Sequence, residues 1–235
     1  MTEPASAQYV SRSWWARFGK RPADIVVALV LIVLLSPVLL LATLAVKLTS
    51  RGPLLFRQER TGRHGRSFYP AKFRTMRADH RHDIREVVPL GHSAITPVGR
   101  FLRRFKIDEL PQIFAVLGGE MSLVGPRPTI PEQTAAYNAF QRRRLLVRPG
   151  ITGLAQVNSS SLRSWDERIA YDVHYVAHCS LAMELGIYSK TVLVVLLGEE
   201  RFARPFSETP YARRELNQEE SSQQQRTSES EAQAP

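Results

Sequence analysis

The most prominent pattern in this chain is one long apolar run near its N-terminus. From Ile25 to Val46 the sequence carries no charged residue over 22 positions, which is the length that a helix needs to cross a bilayer. A cleavable signal peptide would have a shorter apolar region followed by small residues, whereas this run ends in Val46-Lys47-Leu48-Thr49. The pattern therefore predicts a retained membrane helix.

Two features make this predicted helix unusual. Ser36-Pro37 lies at the middle of the run, where proline removes a backbone hydrogen bond and favours a kink, and the Ser36 hydroxyl is a local donor for the freed carbonyl. Basic residues flank both ends: Arg12, Arg17, Lys20 and Arg21 before the run, and Lys47, Arg51, Arg57, Arg60, Arg63 and Arg66 after it. Because basic flanks favour the cytoplasm, a helix that breaks at Ser36-Pro37 and returns to the same face suits both flanks. A kinked single span is the alternative.

The pattern changes after the apolar run. Residues 49–206 alternate short apolar stretches with Gly and Pro turn signals, which indicates a folded domain. Short strands are predicted at Leu54–Phe56 and Ser67–Phe73. Helices are predicted at Val98–Phe105, Glu109–Leu117, Thr129–Leu146 (with Thr129 as its cap), Trp165–His178 and Leu181–Leu197.

The chain divides into four segments on this pattern. A polar N-terminal segment (1–19) precedes the membrane helix (20–48) and the folded domain (49–206). Residues 207–235 are rich in Glu, Gln and Ser, with six glutamates against three arginines. This composition predicts a disordered tail.

The charge of the chain points to phosphate-bearing partners. The net charge is +10, and 27 of the 32 basic residues are arginine, whose planar fork suits phosphate. Nucleic acid, anionic lipid and a nucleotide ligand all fit this composition, and a solvated basic surface is the alternative. The single cysteine, Cys179, excludes an intramolecular disulfide and a cysteine-based zinc site.

The segment from Phe101 to Pro128 is richest in groups that could perform chemistry. Asp108-Glu109 follow three basic residues, and two adjacent acids fit either a helix N-terminus or a nucleophilic aspartate with an acid or metal partner. Arg127 stands between two prolines. A side chain on so stiff a backbone is positioned in advance, which suits a phosphate clamp, although a rigid surface turn has the same pattern.

Several longer motifs resemble one known family. AKFRTM (Ala71–Met76), IDELPQ (Ile107–Gln112), MSLVGPRP (Met121–Pro128) and RPGITGLAQVN (Arg148–Asn158) are similar to motifs of the bacterial sugar transferases, as is the apolar run with its Ser-Pro pair. These are the small monotopic phosphoglycosyl transferases, or polyprenyl-phosphate hexose-1-phosphate transferases. The resemblance covers roughly Lys20 to Leu197, in the family's order and spacing.

The resemblance implies a fold and a reaction. The fold is α+β and mostly helical, with a re-entrant membrane helix broken at Ser36-Pro37, amphipathic helices at the interface and a small cytosolic catalytic domain. Asp108 and Glu109 are the implied catalytic centre, with Mg²⁺ at Asp108. Asp108 attacks the β-phosphate of a UDP-sugar, UMP leaves, and a polyprenyl phosphate takes the sugar-phosphate. The implied location is the cytoplasmic (inner) membrane, with the site on its cytoplasmic face.

The resemblance also implies substrate contacts. By motif match these are Lys72, Arg103, Arg127, Arg148 and Asp172. Glu184 stands where the family often has aspartate, and its longer side chain is expected to reach the same partner.

The implied partners are a UDP-sugar, a polyprenyl phosphate and inner-membrane lipid. A homodimer is compatible with a membrane enzyme, and nucleic acid is not expected. A membrane-tethered protein that only binds anions or assembles a polysaccharide complex is the alternative. Such a protein would have no use for Asp108-Glu109 together with Arg127.

Overall fold

A computed structural model gives the architecture of residues 9–77, 88–159 and 164–212. Within these ranges the chain is mostly helical, as predicted. The α-helices are α1 (Lys20–Thr49), α2 (Pro97–Arg104), α3 (Ile113–Gly118), α4 (Pro131–Ala135), α5 (Ala139–Arg142), α6 (Leu154–Asn158), α7 (Trp165–His178) and α8 (Leu181–Leu197). The strands are β1 (Leu55–Arg57), β2 (Arg60–Thr61), β3 (Ser67–Phe68), β4 (Ala71–Phe73), β5 (Ser122–Val124) and β6 (Gly150–Thr152).

The strands form separate pairs in the described part of the chain. β1 pairs with β4 and β2 with β3, both antiparallel, while β5 and β6 are parallel. Gly150 begins β6 at a very close backbone approach, because a Cβ there would lie 2.1 Å from the Gly125 nitrogen. This contact holds the turn that follows β5 against β6.

Among the described residues, only the N-terminal helix is long and apolar enough to cross a membrane. With the π-helical turn Trp15–Gly19 before it, α1 has a mean hydropathy of 3.2 over its most apolar window, and little of that window is buried. α1 continues through Pro37 without ending, so the expected division into two separate helices is not seen. Pro37 has no N–H for the Val33 carbonyl. The Ser36 hydroxyl donates to that oxygen at 2.8 Å, as predicted.

Both halves of α1 pack against the rest of the domain. In the first half, Ala28 is fully buried in a cluster with Val116 of α3. In the second half, Ala42 and Val46 are buried with Phe73 of β4. A third cluster joins α6, α7 and α8. The apolar helix is therefore part of the domain's core along both of its halves.

Two helix predictions are confirmed at their boundaries, and one is wrong. Trp165–His178 and Leu181–Leu197 form α7 and α8. The predicted helix Thr129–Leu146 is instead divided into α4, α5 and a 3-10 turn. The division lies at Asn138, whose side chain accepts from the N–H of Gln141 and so starts a new helix.

The predicted cap of that helix also differs. The Thr129 hydroxyl does not cap α4, since it bonds to Thr134 and accepts from the Tyr137 hydroxyl. These buried side-chain bonds fix the chain that follows the Gly125–Pro128 turn.

The predicted disordered tail begins inside a packed segment. Thr209 and Ala212 are buried, and the Phe206 ring lies edge-on to Tyr171 of α7 with centroids 5.0 Å apart. The tail prediction is therefore corrected for residues 207–212. Its remainder, 213–235, lies outside the described residues, as do 1–8 of the N-terminal segment.

Candidate active site

The acid pair lies in a 3-10 helix, Ile107–Gln112, between α2 and α3. Lys106 has a φ of 55°, in the left-handed region, and this residue turns the chain from α2 into the 3-10 helix. Asp108 and Glu109 are each only 8% exposed. Two adjacent carboxyl groups with this little contact with water require compensation by nearby cations.

Glu109 receives that compensation directly. Its Oε1 lies 2.6 Å from Lys72 Nζ of β4 and 2.7 Å from an Arg127 nitrogen, and a second Arg127 nitrogen lies 3.2 Å from Oε2. Burial alone would raise the pKa of Glu109, but the charges and hydrogen bonds of Arg127 and Lys72 hold it well below its usual range. Glu109 is thus a permanent carboxylate that holds two cations together.

Asp108 is the contrasting member of the pair. Its Oδ1 is buried without a hydrogen-bond partner in the described part of the chain. Burial, and next the charge of Glu109, raise the pKa of Asp108 against the opposing charges of Lys72, Arg103 and Lys106. A basic carboxylate oxygen with no protein donor is suited to attack an electrophile or to bind a metal ion.

Arg103 stands beside the pair but is held by other groups. Its Nε donates to Thr75 Oγ1 at 2.8 Å and a terminal nitrogen reaches the Val88 carbonyl at 3.4 Å. Burial lowers the pKa of Arg103, and the charges of Asp108 and Glu109 oppose that shift. The structure therefore brings five predicted residues into one site: the cations Lys72, Arg103 and Arg127 and the two acids Asp108 and Glu109.

Asp172 is connected to this site through Arg144, a residue that the sequence analysis did not single out. It forms a buried ion pair with Arg144. Arg144 also donates to the Tyr137 hydroxyl at 2.6 Å and to the backbone carbonyl of Arg127 at 2.8 Å. Asp172 thus supports the turn that carries Arg127. Arg144 lies in a run of three arginines, and nothing in that run distinguishes it from its neighbours.

Glu184 lies away from the acid pair. Its carboxylate is buried and binds Lys20, while Trp15 Nε1 donates at 3.0 Å and the Tyr175 hydroxyl at 2.6 Å. These contacts fix the start of the apolar helix to α7 and α8. The hydrogen-bond donors described above for the Glu184 carboxylate are all protein side chains. A substrate contact at Glu184 stays a prediction.

Arg148 also lies apart from the pair. Its Nε donates to the Gly119 carbonyl at 2.8 Å. Neither carboxylate of the acid pair is among the charges that act on it. The predicted phosphate contact at Arg148 is therefore not assembled with those at Lys72 and Arg127.

Two further arginines flank Arg127 and were missed by sequence reasoning. Burial and then the charge of Arg127 lower the pKa of both Arg60 and Arg168. Arg60 donates to Gln58 at 2.6 Å, and Arg168 lies over the Trp165 ring at 5.4 Å. Neither forms an ion pair within the described residues. The charge of Glu109 on Arg60, and those of Asp172 and Glu199 on Arg168, oppose these shifts, so both arginines are only partly compensated positive charges next to Arg127.

The residues present fit a magnesium ion that is shared with a substrate. The described residues contain no group of three or more acidic, histidine or cysteine side chains that could hold a metal ion. Mg²⁺ is often held by only one or two carboxylates together with substrate phosphates. Asp108, with its unpartnered oxygen, could supply such a ligand, whereas both oxygens of Glu109 are occupied by cations.

Comparison with known proteins shows which family the chain resembles. A profile of the family described as bacterial sugar transferase matches residues 15–198. The chain is 41% identical over 198 residues to the UDP-glucose:undecaprenyl-phosphate glucose-1-phosphate transferase of Xanthomonas campestris pv. campestris. This alignment covers 80% of this chain and 40% of that protein. It is 42% identical over 201 residues to the transferase of the same name from Caulobacter vibrioides, covering 78% and 72%.

A third relative has a different sugar in its name. The UDP-N-acetylgalactosamine-undecaprenyl-phosphate N-acetylgalactosaminephosphotransferase of Aeromonas hydrophila is 38% identical over 190 residues, covering 77% of this chain and 44% of that protein. The chain spans about two fifths of the length of the Xanthomonas and Aeromonas relatives. The profile match contains every residue of the site described above, and the chain belongs to the bacterial sugar transferase family.

Proposed function

We propose that this chain transfers a sugar-1-phosphate from a UDP-sugar to a polyprenyl phosphate through a covalent intermediate on Asp108. The observation that carries the proposal is the contrast within the acid pair: Asp108 has a buried oxygen without a protein donor, and Glu109 is held by Lys72 and Arg127. The names of the relatives support the donor and the acceptor, since each names a UDP-sugar and an undecaprenyl phosphate.

The first half-reaction makes the intermediate. An Asp108 carboxylate oxygen attacks the phosphorus that bears the sugar, and the bond from that phosphorus to the bridging oxygen of the diphosphate breaks. UMP leaves with the bridging oxygen and its electron pair. Division of a difficult transfer into two steps is the general advantage of covalent catalysis.

The second half-reaction restores the enzyme. A phosphate oxygen of the polyprenyl phosphate attacks the same phosphorus, the bond to Asp108 breaks, and the carboxylate is regenerated. The product is a polyprenyl diphosphate sugar, and no further reactant is consumed.

The cations position and neutralise the donor. The Glu109 carboxylate orients Lys72 and Arg127, and Arg60 and Arg168 supply further positive charge beside Arg127. Phosphoryl transfer depends mainly on such positioning and charge neutralisation. Mg²⁺, held by Asp108 and by donor phosphate oxygens, would supply additional charge neutralisation when bound.

We also propose that α1 enters and leaves the membrane by its cytoplasmic face. No residue of α1 between Ala28 and Ala42 is buried, and apolar side chains on both sides of Pro37 are exposed, with Val33 and Leu34 71% and 66% exposed and Leu40 and Leu41 60% and 66% exposed. Outside this stretch, Ala28, Ala42 and Val46 are buried against one domain, while Leu48 near the C-terminal end is 82% exposed. A helix that dips into the bilayer around Pro37 fits this distribution, and it keeps both basic flanks on one side.

The test of the reaction is UMP release by the purified full chain in nanodiscs, with magnesium, polyprenyl phosphate and a panel of UDP-sugars. Asp108→Asn, which keeps the shape but not the nucleophile, is expected to abolish release. Glu120→Gln, an exposed acid beyond α3, is the matched control and should retain it. Full activity of Asp108→Asn would reject the covalent mechanism. A folded wild-type chain that releases UMP from no donor would favour an anion-binding or assembly protein.

A further inference from the structure

Arginine side chains also converge at a second place, the C-terminal end of α3. Arg21 donates to the carbonyls of Val116 and Leu117 at 2.7 and 3.2 Å. Arg148 Nε donates to the carbonyl of Gly119 at 2.8 Å. The two guanidinium groups therefore lie at the same helix end.

A third arginine completes the cluster. Arg63 Nε donates to the carbonyl of Leu146 at 3.2 Å, two residues before Arg148 in the chain. Burial, and then the charges of Arg21 and Arg63, lower the pKa of Arg148. The charges of Arg21 and Arg63 are thus each close enough to act on Arg148. We call Arg21, Arg63 and Arg148 the arginine cluster.

Capping of α3 does not account for the whole cluster. A helix C-terminus carries about half a negative charge, which is far less than three guanidinium groups supply. The carbonyl bonds use only the Nε groups of Arg63 and Arg148, and their terminal nitrogens have no hydrogen bond in the described part of the chain. Those nitrogens can serve a ligand.

Acidic side chains do not neutralise the cluster either. No ion pair among the described residues involves any of its three members. The one acid whose charge acts on Arg148 is Asp24. The Asp24 oxygens already accept from Ser122 Oγ at 2.7 Å and from the Leu123 N–H at 3.1 Å.

We propose that the arginine cluster is a second anion site, which binds the phosphate group of a lipid headgroup or of a free phosphate and is separate from Asp108. One guanidinium group can donate two parallel hydrogen bonds to two oxygens of the same phosphate. A lipid headgroup is the source that the position favours, because Arg21 lies four residues before the apolar run begins at Ile25. Basic pockets beside membrane helices bind anionic headgroups in this way.

The test measures binding to the detergent-solubilised full chain by native mass spectrometry. Dihexanoyl-phosphatidylglycerol and inorganic phosphate are titrated separately. The double variant Arg63→Gln/Arg148→Gln is compared with Arg66→Gln, which removes an exposed arginine of the same loop. The double variant should weaken binding of at least one probe by about tenfold or more. Arg66→Gln should bind as the wild type does.

The probe that responds identifies the source. Cluster-dependent binding of the lipid analogue indicates a headgroup, and cluster-dependent binding of phosphate alone indicates a soluble anion. Unchanged binding of both probes to the double variant overturns the site, and loss of binding in Lys72→Gln instead would place the anion beside the acid pair. Arg63→Gln alone removes only an exposed side chain, so a smaller but measurable weakening is required of it even if the double variant is unstable.

Discussion

At the scale of single residues, Asp108 and Glu109 are neighbours in the chain with opposite electrostatic surroundings. Two cations bind Glu109, and none forms a hydrogen bond to the buried oxygen of Asp108. The pKa of Asp108 is therefore raised and that of Glu109 lowered. Environments that separate the pKa values of two carboxyl groups are typical of sites that assign them different roles.

This separation predicts the acid side of the pH profile. Asp108 must be deprotonated to attack, and burial raises its pKa, so activity should fall with decreasing pH at a higher pH than for an ordinary aspartate. Arg103→Gln removes a charge that lowers the pKa of Asp108, so it should move the acid limb to still higher pH. The measurement is the single-turnover rate of UMP release against pH.

Arg100 supplies the control for that experiment. It lies on the same helix as Arg103 but is exposed, and its charge is not among the main causes of the pKa shift of Asp108. Arg100→Gln should leave the acid limb where the wild type has it. An equal shift of the acid limb in both variants would show that the total charge of α2, rather than Arg103 itself, determines the pH at which activity falls.

A second prediction for single residues concerns Arg60 and Arg168, the two arginines beside Arg127. Arg60 and Arg168 are partly buried cations without an ion pair among the described residues, which is an unfavourable state unless an anion binds there. Arg168→Gln should raise the KM for the UDP-sugar by about tenfold, the expected loss for one charge-assisted phosphate contact. Arg201→Gln, at an exposed position, should leave KM unchanged. An unaltered KM in Arg168→Gln would remove this residue from the donor site.

At the scale of elements, the path of α1 depends on Pro37. Pro37→Ala restores an N–H for the Val33 carbonyl and should straighten the helix into a full span, which carries one flank across the membrane. Arg12→Cys and Arg51→Cys, each at an exposed position, report on the two flanks by labelling from either side of the bilayer. Buried Cys179 gives little background.

The expected labelling follows from the proposed path. With Pro37 present, both reporters should react from the cytoplasmic side, and in Pro37→Ala one of them should react only from the opposite side. Cytoplasmic labelling of both reporters in Pro37→Ala would show that the packing of α1 on the domain, and not Pro37, determines the path.

Some of these features can be predicted from the local sequence, whereas others depend on contacts that only the fold creates. The apolar run, α7 and α8 are long and periodic, and local composition specifies them. The division at Asn138 has a local signal, the capping pair of Asn138 and Gln141, which the apolar periodicity of the segment obscures. The role of Arg144 depends on Asp172, which is distant in the chain, so no local pattern indicates it. The acid pair and Arg127 were recognisable because their motifs are long. Arg60 and Arg168 belong to the site only through the fold.

At the scale of the whole molecule, residues 199–212 close one side of the domain beyond the family match. Phe206 and Tyr211 pack against Tyr171, and Arg204 bonds to α6 through the Asn158 carbonyl. Truncation after Gly198 should lower the melting temperature of the purified protein by several degrees, because it uncovers buried aromatic surface. Truncation after Ala212 is the matched control and should melt as the full chain does. Equal melting of the two truncations would show that this segment does not stabilise the domain.

In a living cell, Glu109 also competes with every small metabolite that carries phosphate. Because the Glu109 carboxylate is already bound to both Lys72 and Arg127, a monophosphate must compete with it for these two cations. A diphosphate carries more negative charge and has two linked groups, so it can engage Arg60 and Arg168 as well. If the proposed function holds, the internal ion pair therefore favours nucleotide-sugars over monophosphates.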